Sequence, residues 1–204
     1  MPLVKICGVT SLDDAIACVD LGADAIGLNF WPSSQRRCEL DEARRITDAL
    51  GARARVVAVF VDVGREAIER VRRESGIEWA QLHGSEPPAL VSALLPHAYK
   101  AAHVTDAASL ASALAAPGDE LLVDASLPGL PGGTGRTCDW ALAAQLARAR
   151  RVWLAGGLRP DNVAEAIREV APFGVDVASG VERAPGVKDH ELVRAFIDAA
   201  RSSR

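Results

Sequence analysis

Lys5 and Cys7 are the first residues in the chain equipped for proton transfer. They stand two apart in Leu3-Val4-Lys5-Ile6-Cys7, a run that reads as a strand, so both side chains leave the same face. With Cys7 at the mouth of whatever the strand builds, Lys5 lies one layer beneath it. An ammonium there favours the thiolate and makes Cys7 a base or a nucleophile. A free cysteine in such a place also serves as a small buried hydrophobe, and position alone leaves both readings open. Asp124 closes the apolar run Leu121-Leu122-Val123. Its carboxyl suits proton transfer, but also a helix cap or an ion pair. Asp62 and Asp176 stand at or near strand ends as well. His83 ends Gln81-Leu82-His83, where an imidazole can belong to a site or pack beneath one as a hydrogen-bond donor. Arg36, in Pro32-Ser33-Ser34-Gln35-Arg36-Arg37, can grip a carboxylate through two parallel hydrogen bonds, although a solvated surface charge is the plainer alternative. Ala155-Gly156-Gly157-Leu158 and Ala178-Ser179-Gly180-Val181 are turns where glycine lets backbone N–H groups approach anionic oxygens.

A scaffold must bring positions 5 to 180 to one place. β-branched runs predict strands at Leu3–Cys7, Asp24–Leu28, Val56–Val61, Trp79–Leu82, Tyr99–Ala102, Leu121–Asp124, Val152–Ala155 and Val175–Val177. Several are unbroken apolar stretches, as expected of a parallel sheet covered on both faces. Helical stretches separate them. Ser11 before Leu12-Asp13-Asp14 and Gly22 after Leu21 mark one start and stop. Asp106 caps Ala107–Ala116 and Asp139 caps Trp140–Ala149. Pro87 and Pro160 suit first helical turns, before Ala89–Leu95 and Ala164-Glu165-Ala166-Ile167. A last helix spans about Asp189 to Ala200. Eight βα units of about 25 residues each predict a single α/β domain over residues 1–204, a (β/α)8 TIM barrel near its lower size limit.

In that barrel, chemistry belongs to the βα loops at the C-terminal ends of the strands. Two of these are long, Asn29–Cys38 and Ala125–Cys138. The second contains Gly129–Gly135, which reads as a mobile lid or an anion nest, with a merely tolerated loop as the alternative. Turns after strands seven and eight form the recurrent phosphate site of this architecture. An open dinucleotide fold is disfavoured, because Gly8-Val9-Thr10-Ser11 lacks the G-x-G-x-x-G pattern, and no G-x-x-x-x-G-K-[ST] occurs.

Composition narrows the class further. The 23 basic and 27 acidic residues give a charge of −4, without the basic footprint of a nucleic-acid partner. No apolar run approaches the ~20 residues of a membrane span, and Met1-Pro2-Leu3-Val4-Lys5 does not read as a signal peptide. Cys7, Cys18, Cys38 and Cys138 form no C-x-x-C pair, and His97, His103 and His190 show no ligand spacing, so neither a metal site nor a disulfide scaffold is expected. A reducing cytoplasm is the default compartment. Trp31, Trp79, Trp140 and Trp153 read as core or helix packing. Arginine outnumbers lysine, leaving Lys5, Lys100 and Lys188; the bias reads as genomic composition without function.

Taken together, the motifs resemble the phosphoribosylanthranilate isomerase family of tryptophan biosynthesis. The matching pieces are Lys5-Ile6-Cys7-Gly8, Gly27-Leu28-Asn29-Phe30 with Ser34-x-Arg36, Val59-Phe60-Val61, Gln81-Leu82-His83-Gly84, Asp124 and Gly132-Gly133-Thr134-Gly135. They continue through Leu154-Ala155-Gly156-Gly157-Leu158 with Asn162-Val163 and Asp176-Val177-Ala178-Ser179-Gly180-Val181-Glu182, and end at Pro185-Gly186-x-Lys188-Asp189. Asn29, Gln35 and Ala178 depart from the usual pattern; none of them is a proton-transfer group.

The resemblance implies a barrel that converts N-(5-phosphoribosyl)anthranilate to 1-(2-carboxyphenylamino)-1-deoxyribulose 5-phosphate by an Amadori rearrangement, without cofactor. It implies Cys7 as general base, Asp124 as general acid and Arg36 as the holder of the anthranilate carboxylate. Gly156, Gly157, Ser179 and Gly180 would bind phosphate, with Lys5, His83 and Asp176 in support. Asp124 is then expected to carry a raised pKa so that it can hold a proton. The partner is a small phosphorylated substrate, and both a monomer and a homodimer are compatible with the sequence. Two other readings compete: a Schiff-base aldolase using Lys5 or Lys100, and a barrel that binds a phosphosugar without turning it over.

Overall fold

Each strand has two environments to fill, which is why its sequence is apolar almost throughout. In β1 (Leu3–Cys7), Val4 and Ile6 are buried against the surrounding helices, while Lys5 and Cys7 turn to the barrel interior. The computed structural model describes residues 1–124 and 140–202. After β1 come β2 (Ala25–Asn29), β3 (Arg55–Phe60), β4 (Trp79–Leu82), β5 (Ala98–Ala102), β6 (Glu120–Asp124), β7 (Arg151–Ala155) and β8 (Gly174–Val177). All pair in parallel, each with its neighbour in sequence, and β8 returns to β1 to close the barrel. The predicted strands agree with these to within a residue at each end.

Eight helices cover the outside among the described residues: α1 (Leu12–Asp20), α2 (Leu40–Leu50), α3 (Arg65–Ser75), α4 (Pro88–Leu94), α5 (Ala107–Ala115), α6 (Trp140–Ala149), α7 (Val163–Val170) and α8 (His190–Ser202). The larger apolar cluster fills the space between helices and sheet, with Ile26, Leu28, Ile46, Leu146 and Phe196 among its fully buried members. A smaller cluster of Ala25, Val57, Tyr99, Ala101, Leu122, Trp153 and Ala155 fills the barrel itself.

Side-chain caps start two of the helices as the sequence predicts. Ser11 accepts a hydrogen bond from the Asp14 N–H at 3.3 Å, and Asp106 forms a capping box with Ser109. The prolines differ from expectation. Pro87 is the N-cap residue and Pro88 takes the first helical position. Pro160 lies in the turn ahead of Asn162, the N-cap residue of α7, whose side chain accepts from the Arg159 N–H within that turn at 2.8 Å. The Asp139 cap and the Gly129–Gly135 loop lie outside the described residues. No sequence signal marks the hairpin of β9 (Glu182–Ala184) and β10 (Val187–Lys188), turning at Gly186 with φ +79°. Its strands are too short to show a period.

Candidate active site

Alternation along the strands stacks two polar layers at the C-terminal end of the barrel. In the deeper layer, the Lys5 ammonium is fully buried and donates to Asp176 Oδ1 at 2.9 Å and to Gln81 Oε1 at 3.0 Å. Lys5 and Asp176 are register partners on β1 and β8. Burial alone would lower the Lys5 pKa, but the charge of Asp176, with smaller contributions from Cys7 and Tyr99, outweighs it and raises the value above that of an ordinary lysine. Lys5 is therefore a fixed cation, which argues against its service as a Schiff-base nucleophile. Lys100 is engaged as well, donating to the carbonyls of Leu82, Gly84 and Ala101 and pairing with Glu86 at 3.2 Å.

Two residues further along the strands lie Cys7, His83 and Asp124. All three line one cleft of about 690 Å³, within the range of small-molecule sites. Gly27, the register partner of Cys7 on β2, leaves room for the sulfur. A Cβ at Gly27 would lie 2.7 Å from Cys7 Sγ. Burial raises the Cys7 pKa, opposed by Lys5 and Lys188. The expectation that Lys5 makes Cys7 more acidic holds for the direction of that one influence and fails for the sum, because desolvation of a thiolate outweighs it. His83 Nε2 lies 3.6 Å from Asp124 Oδ2, and its Nδ1 lies 2.7 Å from Gln81 Nε2.

Arg36 enters the cleft from the loop after β2. Its methylenes cross Gly8, whose φ of +72° and missing Cβ allow the approach; a Cβ would lie 2.6 Å from Arg36 Cδ. The guanidinium is half-buried and grips Glu182 through Nε and Nη2 at 3.0 and 2.7 Å. That pairing raises the Arg36 pKa. Among the described residues, Glu182 engages Nε and Nη2 of the guanidinium. Lys188 completes the arrangement, donating to Glu182 Oε1 at 2.8 Å and to the Cys7 carbonyl at 2.6 Å. Burial works to raise the Glu182 pKa, but Arg36 and Lys188 win and lower it. Glu182 and Lys188 had no role in the sequence reading. Their signal was faint: Lys188 is one of three lysines in an arginine-rich chain.

The turns after β7 and β8 line the cleft as well. Gly156 and Gly157 have φ of +90° and +65°, and Ser179 opens a short 3-10 turn, Ser179–Val181. A Cβ at Gly180 would collide with the Leu158 carbonyl oxygen, so the two turns touch because that residue is glycine. Trp31 departs from expectation. It is 42% exposed and lines the cleft instead of packing in the core, because its loop, pinned by the Trp31 N–H to Asn29 Oδ1 at 2.8 Å, runs over the barrel mouth. Trp153 is buried in the barrel as expected. Asp62 lies outside the cleft lining. No group of His, Cys, Asp or Glu suited to a metal occurs among the described residues. None of the helices is long and apolar enough to cross a membrane, again among the described residues.

Comparison with known proteins agrees with this geometry. Residues 4–199 match the family model for N-(5′-phosphoribosyl)anthranilate isomerase. The N-(5′-phosphoribosyl)anthranilate isomerase of Myxococcus xanthus is 46% identical over 98% of this chain and 96% of its own. The crystal structure of phosphoribosyl anthranilate isomerase from Thermotoga maritima superimposes with a TM-score of 0.90 at 40% identity, covering 98% of this chain and 99% of the other. A further structure of the enzyme, in complex with reduced 1-(o-carboxyphenylamino)-1-deoxyribulose 5-phosphate, gives a TM-score of 0.87 at 38% identity over 98% and 99% of the two chains. The barrel, its cleft and these similarities identify the chain as a member of the N-(5′-phosphoribosyl)anthranilate isomerase family.

Proposed function

We propose that the protein isomerises N-(5′-phosphoribosyl)anthranilate to 1-(2-carboxyphenylamino)-1-deoxyribulose 5-phosphate, a step of tryptophan biosynthesis, with residues 1–204 acting as one barrel domain. The observation that carries the reading is the convergence of Cys7, Asp124, Arg36 and the glycine turns on one cleft. Arg36 holds the anthranilate carboxylate, and the backbone N–H groups around Gly156, Gly157, Ser179 and Gly180 receive the phosphate. Substrate then spans the barrel mouth with its sugar between β1 and β6, which lie three strands apart around the ring.

Asp124 gives its proton to the ribose ring oxygen. The C1′–O bond breaks, and the nitrogen lone pair forms a protonated Schiff base. The thiolate of Cys7 removes the C2′ proton, and the electrons of that C–H bond neutralise the cation as an enolamine. The enolamine tautomerises to the ketone, and a proton passing from the thiol to the carboxylate through solvent resets the pair. Burial raises the Cys7 pKa, so the thiol must first release its proton to solvent. The cationic Schiff base beside it then favours the thiolate when the base is needed. Each proton transfer contributes about 10²–10⁴-fold.

The substrate is a small molecule, and no nucleic-acid partner is implied by a charge of −4. The free thiols of Cys7, Cys18 and Cys38 suit a reducing cytoplasm. The protein works as a monomer or a homodimer. The test generates phosphoribosylanthranilate in situ from anthranilate and phosphoribosyl pyrophosphate and follows loss of anthranilate fluorescence. Wild type should consume it rapidly, and Cys7→Ala and Asp124→Asn should each lose at least ~10² in kcat. No loss of fluorescence with wild type overturns the reaction. A variant with near-normal kcat overturns the role given to its residue.

A further inference from the structure

Gln81 is buried in the deeper polar layer, and its neighbours dictate which way its amide points. Oε1 lies 3.0 Å from Lys5 Nζ and 3.1 Å from the Tyr99 hydroxyl. An ammonium carries donors only, so the atom facing it is the amide oxygen. The NH2 group therefore faces His83 Nδ1, at 2.7 Å. An amide nitrogen cannot accept, so Nδ1 must, and the imidazole proton resides on Nε2. Nε2 is the atom turned to Asp124 Oδ2, at 3.6 Å. A fixed cation on β1 thus dictates, through one amide, what hydrogen-bonding group β4 presents to β6.

We propose that Gln81 is a positioning residue that locks His83 in the tautomer presenting a hydrogen, not a lone pair, to Asp124. The inference rests on the reading of Asp124 as the general acid. With a lone pair on Nε2, protonated Asp124 would donate its hydrogen to the imidazole instead of to the ring oxygen. Ionised Asp124 would meet a lone pair and be destabilised. With a hydrogen on Nε2, neither occurs. The carboxylate left after proton transfer then gains a donor once the pair closes by about 0.4 Å into hydrogen-bond range. Sequence reading could reach the residues but not this role, because the tautomer follows from which partner each amide atom meets.

The direct test is nitrogen NMR of the wild-type protein labelled with 15N-histidine, with the His83 signals assigned by their absence in His83→Asn. At assay pH, Nε2 should show the shift and coupling of a protonated nitrogen, and Nδ1 those of an unprotonated one. The opposite pattern, an exchange average or a doubly protonated ring would overturn the proposal, whatever the role of Asp124. A kinetic cycle separates action through His83 from action through Lys5. Gln81→Met should lower kcat about 10- to 100-fold with little change in KM. In a His83→Asn background it should have little further effect. Multiplicative losses would show that Gln81 acts through Lys5 and Cys7, and would overturn it. If Gln81→Met does not fold, the wild-type spectrum decides alone. Loss of activity in Asp124→Asn is a separate measurement, so failure of the acid assignment is distinguishable from failure of the tautomer assignment.

Discussion

Gly27→Ala places a single methyl group against the proposed base without removing any functional atom. The added Cβ would lie 2.7 Å from Cys7 Sγ, where ordinary contact begins at 3.4 Å, so sulfur and methyl must separate by about 0.7 Å. The backbone cannot absorb this freely, because the same Cβ would lie 3.1 Å from Cys7 Cα and 3.1 Å from Lys5 Nζ. Gly27 is paired in register with Cys7 inside a closed barrel, so the strands cannot spread locally. The sulfur is what moves. A displacement approaching 1 Å in a reacting group costs about 10²-fold, or about 2.7 kcal/mol in the barrier. Overpacking adds about 1–3 kcal/mol of lost stability. The expected result is kcat down about 10²-fold in the fluorescence assay and KM within a few-fold, since Arg36 and the glycine turns are untouched. Circular dichroism and a thermal melt establish that the variant is folded. A folded variant with kcat within about threefold of wild type would show that the sulfur position is not critical, and the assignment of Cys7 as base would fall with it.

Three further predictions follow from the charges around the site. Burial raises the Cys7 pKa against the pull of Lys5 and Lys188, and the base must be the thiolate. Because Asp124 must also be protonated, kcat/KM should be bell-shaped, and its falling limb, which reports the Cys7 thiol, should lie above the ordinary cysteine value of about 8.5; a falling limb centred near ~7.5 would refute this. Glu182→Gln weakens the grip on Arg36 Nε and Nη2. It should raise KM about tenfold, equivalent to about 1.4 kcal/mol, with kcat little changed; an unchanged KM would mean that Glu182 does not orient a carboxylate-binding arginine. Lys5→Met leaves Asp176 almost buried without its cation. It should lower unfolding stability by about 3–5 kcal/mol in urea titrations, and a loss under about 1 kcal/mol would show that the pair is not a structural necessity.

The barrel was legible because parallel strands covered on both faces must be apolar on both, and each predicted run meets its strand. Cap residues were legible where a side chain does the work, as at Ser11 and Asp106. Pro160 misled, since proline tolerates a first helical turn without requiring one, and α7 begins only after Asn162. The β9–β10 hairpin was invisible at three and two residues per strand. Trp31 was misjudged because an aromatic residue in a loop has no period that separates core from rim. The residues brought to the cleft could be read from strand ends; their partners could not, because Glu182 meets Arg36 across 146 positions of chain and Lys188 meets Cys7 across 181.

The lysines show what the sequence did hold in plain view. Arginine serves wherever a basic side chain is exposed in this chain, a bias that by itself reads as genomic composition. Yet Lys5 and Lys188 are buried and Lys100 nearly so. Each places its nitrogen among converging oxygens: Asp176 and Gln81 for Lys5; the carbonyls of Cys7 and Ala178, and Glu182, for Lys188; three carbonyls and Glu86 for Lys100. A compact ammonium with three donors fits such a point, and a planar five-donor guanidinium does not. Two of the three lie directly behind Cys7, one beneath its side chain and one on its carbonyl. Lys100 faces the helices, since Tyr99 and Ala101 on either side of it fill the barrel; Lys5 and Lys188 mark where charge is buried beside Cys7. That interior charge links the proposed base to the tautomer of His83 and to the orientation of Arg36.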